Sequence, residues 1–270
     1  MSLILNFFIM KYQWIIYLIL IVKFQVGISQ EIKKTANNMK SITIYEESYI
    51  DKLSSIDSIS ELFIIVPKIK KQISIDLISP ELLNSLSINE FEHYIFIDSF
   101  PNITHLGIEG KFNEKNSIMF NPLNIRSISI FNFINDDYSF LERLVNIDTI
   151  FVGYFKDQDA VLNSIKNANS LKYLYLYSDC KKGILSEKIT SFRMLKTLAS
   201  NILFSYKNIE ILNYSNSILQ VIFLNQKINK IPLNFKNIKT EVEIIFKSCK
   251  ITQEMKEQIL IEHKNVKFIY

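Results

Sequence analysis

The sequence predicts an α/β fold in which short parallel strands alternate with short helices or irregular segments and stack as a solenoid. Three observations predict it. The phrase Asn-Ile-x-x-[Ile/Leu]-x-[Ile/Leu/Val] reads Asn102-Ile103-Thr-His-Leu106-Gly-Ile108, then Asn124-Ile125-Arg-Ser-Ile128-Ser-Ile130, then Asn146-Ile147-Asp-Thr-Ile150-Phe-Val152, at intervals of 22 residues. Ser170-Leu171-Lys-Tyr-Leu174-Tyr-Leu176 follows after 24. Each copy ends in a period-two alternation, which marks a strand, and the stretches between copies carry acidic starts and helical spacing. A unit this short cannot bury its apolar face alone, so copies must stack.

Residues 1–29 read as a secretory signal peptide. Lys11 precedes the apolar run Trp14–Val22, Lys23 breaks it, and Gly27-Ile28-Ser29 offers small residues before cleavage at Gln30. The alternative is a membrane anchor, but Lys11, Gln13 and Lys23 leave less than the roughly 20 apolar residues a spanning helix needs. The expected localisation is therefore secreted, with no stable membrane insertion after leader cleavage. Retention through the N-terminal segment is the alternative.

Residues 30–100 read as divergent N-terminal repeats or a cap. Asn38-Met39-Lys-Ser-Ile42-Thr-Ile44 and Ser58-Ile59-Ser-Glu-Leu62-Phe-Ile64 match the frame. Ile73–Leu77 and Phe91–Phe96 are strand-like, and Pro80 opens a short helix between them. Residues 101–270 form the main array. Asn135-Asp136-Asp137 and Asp157-x-Asp159 begin predicted helices, where carboxylates favour the positive dipole end. Asn208-Ile209-Glu-Ile-Leu212-Asn-Tyr214 reads as a clear further copy. Met194-Leu195-Lys-Thr-Leu198-Ala-Ser200 reads as a degraded one. Leu219–Leu224 fits too but follows Leu212 too closely, so one of these registers is wrong. Thr252–Glu262 is the best helix, and Asn265–Tyr270 the last strand.

The frame Leu/Ile-x-x-Leu/Ile-x-Leu/Ile, at a period of 22 to 28 over residues 100 to 270, resembles the leucine-rich repeat family. The resemblance implies a curved solenoid with short parallel strands on the concave face and short helices or irregular segments on the convex face. It weakens in the turn half. Cys249 falls where the family places a buried Asn or Cys, but Lys111, Phe133, Phe155 and Asp179 occupy that position elsewhere.

Ile is the commonest residue, Arg occurs three times and Ala four, a bias of A/T-rich codons. The net charge is +4, or +2 without Lys11 and Lys23. Lys is interspersed with Asp and Glu, with no basic stripe, which argues against nucleic acid. His93, His105 and His263 have no partner at metal-ligand spacing, and no catalytic or phosphate-loop motif occurs. Cys180 and Cys249 lie too many rungs apart in a solenoid to pair with each other. Asn102 and Asn213 begin glycosylation sequons. No cofactor, metal or catalytic residue is assigned.

In the frame, the outward positions include Thr104, His105, Ser129, Asp148, Glu210 and Asn213. Phe151, Tyr173 and Tyr175 make an aromatic centre there, with Arg126 and Lys172 beside it. This pattern points to a protein partner. The expected function is a secreted, non-enzymatic protein-binding scaffold, an exported effector or adhesive protein of a unicellular eukaryote. The alternatives are an anchored surface or wall structural protein and, third, an enzyme on an irregular α/β fold.

Overall fold

The computed structural model describes residues 30–34, 40–66, 69, 71–97, 99–110, 119–131, 138–178 and 183–270, with the backbone only for 30–34. The leader, Lys111, Phe133, Asn135, Asp136, Asp137, Asp179 and Cys180 lie outside the described residues. The first strands are β1 (Gln30–Lys34), β2 (Lys40–Ile44), β3 (Ile59–Ile64), β4 (Ile73–Ile75), β5 (Ser85–Ile88), β6 (Tyr94–Phe96) and β7 (His105–Glu109). Then come β8 (Ser127–Phe131), β9 (Thr149–Phe155), β10 (Tyr173–Ser178), β11 (Thr197–Ser200), β12 (Gln220–Leu224), β13 (Glu243–Lys247) and β14 (Val266–Ile269).

The chain is α/β, with a long parallel sheet. Eleven strands, β2, β3, β5 and β7 to β14, lie side by side in chain order, and β1 joins β2 antiparallel at one edge. The register sets like against like: Leu86 faces Leu106, then Ile128, Ile150, Leu174, Leu198, Val221 and Ile244. All eight are buried, because alternate residues of each strand point to one side. Each such side chain is worth about 1.5–3 kcal/mol of burial, and stacking makes one continuous core of them.

Two sets of backbone features recur with this register. Where strands begin, one carbonyl accepts from two successive amides of the next unit. The acceptors are Asn84, Thr104, Arg126, Asp148, Lys172 and Lys196, at 2.8–3.1 Å. Where strands end, Glu90, Gly110, Tyr154, Asn225 and Ser248 adopt positive φ. Each stands two places after the second inward apolar residue. The left-handed turn tips the chain out of the sheet.

The recurrent Asn of the sequence phrase now has a physical role. The Asn102 amide donates to the Glu81 carbonyl, Asn124 to Pro101 and Asn146 to Leu123, at 2.7–3.0 Å. The Ser170 hydroxyl donates equivalently to Ile147. Each ties a turn to the unit before it. At the other ends of strands, Asn89 and Asn201 clamp both backbone groups of Val66 and Ser178. The Cys249 thiol donates to the Phe223 carbonyl from a buried position, and burial pushes its pKa up. Phe155 fills the equivalent position with a buried ring.

Among the described residues three α-helices connect strands: α1 (Gln158–Ser164), α2 (Tyr206–Tyr214) and α3 (Gln253–Glu262). Each starts nine or ten residues after the first residue of the preceding strand. Asp157 caps α1 by accepting from the Asp159 and Ala160 amides, and Thr252 caps α3 from Met255. Shorter 3-10 segments at Pro80–Leu82 and Ser139–Arg143 stand where short helices are expected.

Three sequence expectations need correction. Asn208-Ile209-Glu-Ile-Leu212 is not a strand but part of α2, and Met194–Ser200 supplies the true strand, β11. Asn208 is fully buried. It accepts from the Leu185 amide and donates to Gly183 and Leu203, which fixes a helix where an Asn-Ile phrase mimics a rung. Glu210 and Asn213 therefore leave the sheet face. Finally, β4 and β6 pair with each other in a separate two-stranded ladder, while Ser85–Ile88, unmarked in the sequence, joins the main sheet as β5.

Candidate protein-binding face

The side of the sheet away from the core carries three registered columns of outward residues. The middle column runs Ser87, Gly107, Ser129, Phe151, Tyr175, Ala199 and Ile222 across β5 to β12. Its first half is small and its second half apolar. A side chain at Gly107 would meet the Ser87 hydroxyl at 2.5 Å, so the small stretch is tightly closed.

Phe151 and Tyr175 are paired in register and stack at 5.8 Å with planes 16° apart. Phe131, from the next column, lies 4.8 Å from Phe151 on its other side. Gly153 makes this possible: a Cβ there would meet the Phe131 ring at 2.8 Å. The result is a run of three rings across β8, β9 and β10, with Phe131 tilted 37° against Phe151. Burial holds the Tyr175 phenol above its ordinary pKa, with Tyr173 adding repulsion, so the hydroxyl stays protonated. Tyr177 and Tyr154 add an edge-on pair at 5.6 Å.

The predicted residues thus divide. Phe151 and Tyr175 are half-buried in the stack, whereas Tyr173 opens the strand and is 42% exposed. Arg126 and Lys172 sit one place before their strands, on the rim. There the Arg126 guanidinium donates to the Asn146 carbonyl at 2.9 Å, and Lys172 pairs with Asp148 at 3.1 Å. Sequence reasoning missed Phe131 because it follows the buried Ile130 directly. Counting on by two from Ser127 and Ser129 would have found it.

Farther along, Thr197, Gln220, Glu243 and Lys267 form a polar chain across β11 to β14. The Lys267 ammonium and then the Gln220 amide hold the Glu243 carboxyl below its ordinary range. Beside Phe131, a cavity of about 30 Å³ opens between Ser87, Asn89, Ile108 and Glu109. That is room for one water rather than an organic ligand. Among the described residues no three His, Cys, Asp or Glu side chains gather to hold a metal, and no helix is long and apolar enough to cross a membrane. No family model matches the chain, and no characterised protein matches it in sequence.

Proposed function

We propose that this chain is a secreted, non-enzymatic protein-binding scaffold, built as a leucine-rich-repeat-like solenoid with its strands on the concave face. The forked carbonyls and the Asn column support the solenoid, since each bond repeats one unit further along. The stack of Phe131, Phe151 and Tyr175 carries the binding function. Its rings cover one another, so Phe151 offers an edge rather than an open face. A sugar or base stacks on an open face; a protein surface packs against edges, hydroxyls and apolar flanks. Tyr173 and the polar Ser127, Ser129 and Thr149 complete an aromatic centre with a polar surround.

The test is capture of a partner by the purified chain with and without Tyr173→Ala and Tyr175→Ala. The double variant should lose capture, since truncating a central aromatic anchor costs about 2 kcal/mol or more of affinity, roughly thirtyfold. Its stability should fall by ~1–3 kcal/mol, since Tyr175 loses half-buried ring area as well as its stacking partner, and the chain should stay folded. Capture equal to that of the unaltered chain would remove this face as the site. Expressed in a eukaryotic secretory system, the protein should reach the medium with Gln30 at its N-terminus. Full-length chain in the membrane fraction would favour the anchored alternative.

A further inference from the structure

Two glycosylation sequons, Asn102-Ile103-Thr104 and Asn213-Tyr214-Ser215, have no part in the binding face, and the fold treats them differently. Asn102 lies in the turn that leads into β7, and its side chain is exposed. Its amide donates to the Glu81 carbonyl at 2.7 Å. An Asn amide nitrogen carries two hydrogens, so a sugar can replace the second while this bond is kept. Asn213 lies instead in the last turn of α2, half-buried, and the Ser215 of its sequon is only 6% exposed. A sugar there would have to leave from a side chain that the folded helix partly covers.

The neighbouring units supply the comparison. Asn124 and Asn146 occupy the same turn position as Asn102 and make the same bond to the unit before, at 2.7 and 3.0 Å. Two places on, they have Arg126 and Asp148 where Asn102 has Thr104. The forked carbonyl at that place is made equally well by all three residues. Stacking therefore accounts for the Asn in each turn but does not call for the hydroxyl, and the hydroxyl is what completes an acceptor for N-linked sugar.

We propose that Asn102 carries an N-linked oligosaccharide and that Asn213 does not. This holds for a chain that enters the secretory route, and so rests on the secreted reading above. In the transfer, Asn102 Nδ2 attacks the anomeric carbon of an oligosaccharide carried on a lipid pyrophosphate. The new C–N bond replaces the C–O bond to the pyrophosphate, which leaves with the electron pair. The displaced amide proton passes to a base of the transferase. Because β7 pairs with β8, about 4.8 Å away, the sugar stands at the strand-start end of the sheet, on the side of the rings where the outward column is small.

The test is expression of the full chain, with its own leader, in a eukaryotic secretory host. Chain from the medium is treated with peptide-N-glycosidase in heavy-oxygen water, which turns a glycosylated Asn into a mass-tagged Asp, and its peptides are mapped. Position 102 should carry the tag and position 213 should not. On a gel, the shift produced by the glycosidase should vanish in Asn102→Gln and Thr104→Ala, persist in Thr104→Ser, and persist in Ser215→Ala. Chain in the medium with an untagged position 102, or with the tag at 213 alone, overturns the glycan proposal and leaves secretion standing. Chain retained in the cytosol without sugar overturns both. Tagged full-length chain in the membrane fraction supports the site while favouring the anchored alternative to secretion.

Discussion

Strands β5, β7 and β8 and strands β9 to β12 share the residue type at the first inward position and differ on their outsides. Inward, both present Leu or Ile at the first buried position of almost every rung, with Val221 the exception. Outward, the first group shows Ser87, Gly107 and Ser129, and the second Phe151, Tyr175, Ala199 and Ile222. Uniform inward residues are what stacking needs, because each rung must fit the one before it. Nothing in the stacking demands aromatics on the other side. The change of outward chemistry at β9 is therefore where this chain departs from its own repeat.

The sharpest way to break that contrast is one unit where both sides can be probed. Ile128 is fully buried, and Ser129 beside it faces outward. Ile128→Asp buries an unpaired carboxylate and should cost more than ~3 kcal/mol in urea unfolding. Ser129→Asp should cost under about 0.5 kcal/mol. Equal costs would mean the two sides are not distinct.

A second pair separates two kinds of Asn. Asn208→Ala strands the buried Leu185 amide and the Gly183 and Leu203 carbonyls, and should cost ~2–3 kcal/mol. Asn124→Ala frees one carbonyl near solvent and should cost ~0.5–1 kcal/mol. The reverse order in thermal melts would mean that the repeated phrase, not α2, carries the heavier structural duty.

The smallest effect is one of pH. Glu243 has a folded pKa below its ordinary value, because Lys267 and Gln220 hold the charged carboxylate. Its contribution is complete above the unfolded value and is lost as the pH falls through the lower, folded one. Amides of β14 should therefore exchange faster, after correction for intrinsic rates, as the pH is taken down past the ordinary carboxylate value of 4.5. Glu243→Gln should remove that dependence. An unchanged profile in the variant would assign the loosening to another carboxylate.

Where units run at even intervals, the strands were legible from spacing: Leu106, Ile128, Ile150 and Leu174 all fall on paired rungs. Legibility failed where a helix carries strand-like residues. In α2, Ile209, Ile211 and Leu212 are all buried, so their pattern satisfies a rung and a helix equally, and only Asn208's buried bonds distinguish them. The β5 strand escaped notice because Leu82 stands where the evenly spaced copies carry Asn, although Leu83, Leu86 and Ile88 complete the frame. The site was half legible. Alternation with leucines marked Tyr173 and Tyr175, but the ring contact from Phe131 depends on Gly153 across the sheet, a relation between units that no single stretch of sequence contains.

The forked carbonyls have a further consequence for how such a chain can change length. The forked bonds reach from one unit to its neighbour, and they are made by backbone rather than by particular side chains. Removing residues 127–148 would bring Thr149 to follow Arg126, leaving the Thr104 carbonyl two successive amides to accept from and setting Ile150 against Leu106. The same holds for doubling those residues. A gene encoding this chain can therefore gain or lose a whole unit by unequal recombination without opening a bond of a new kind, and the sheet would lengthen or shorten by one strand spacing each time.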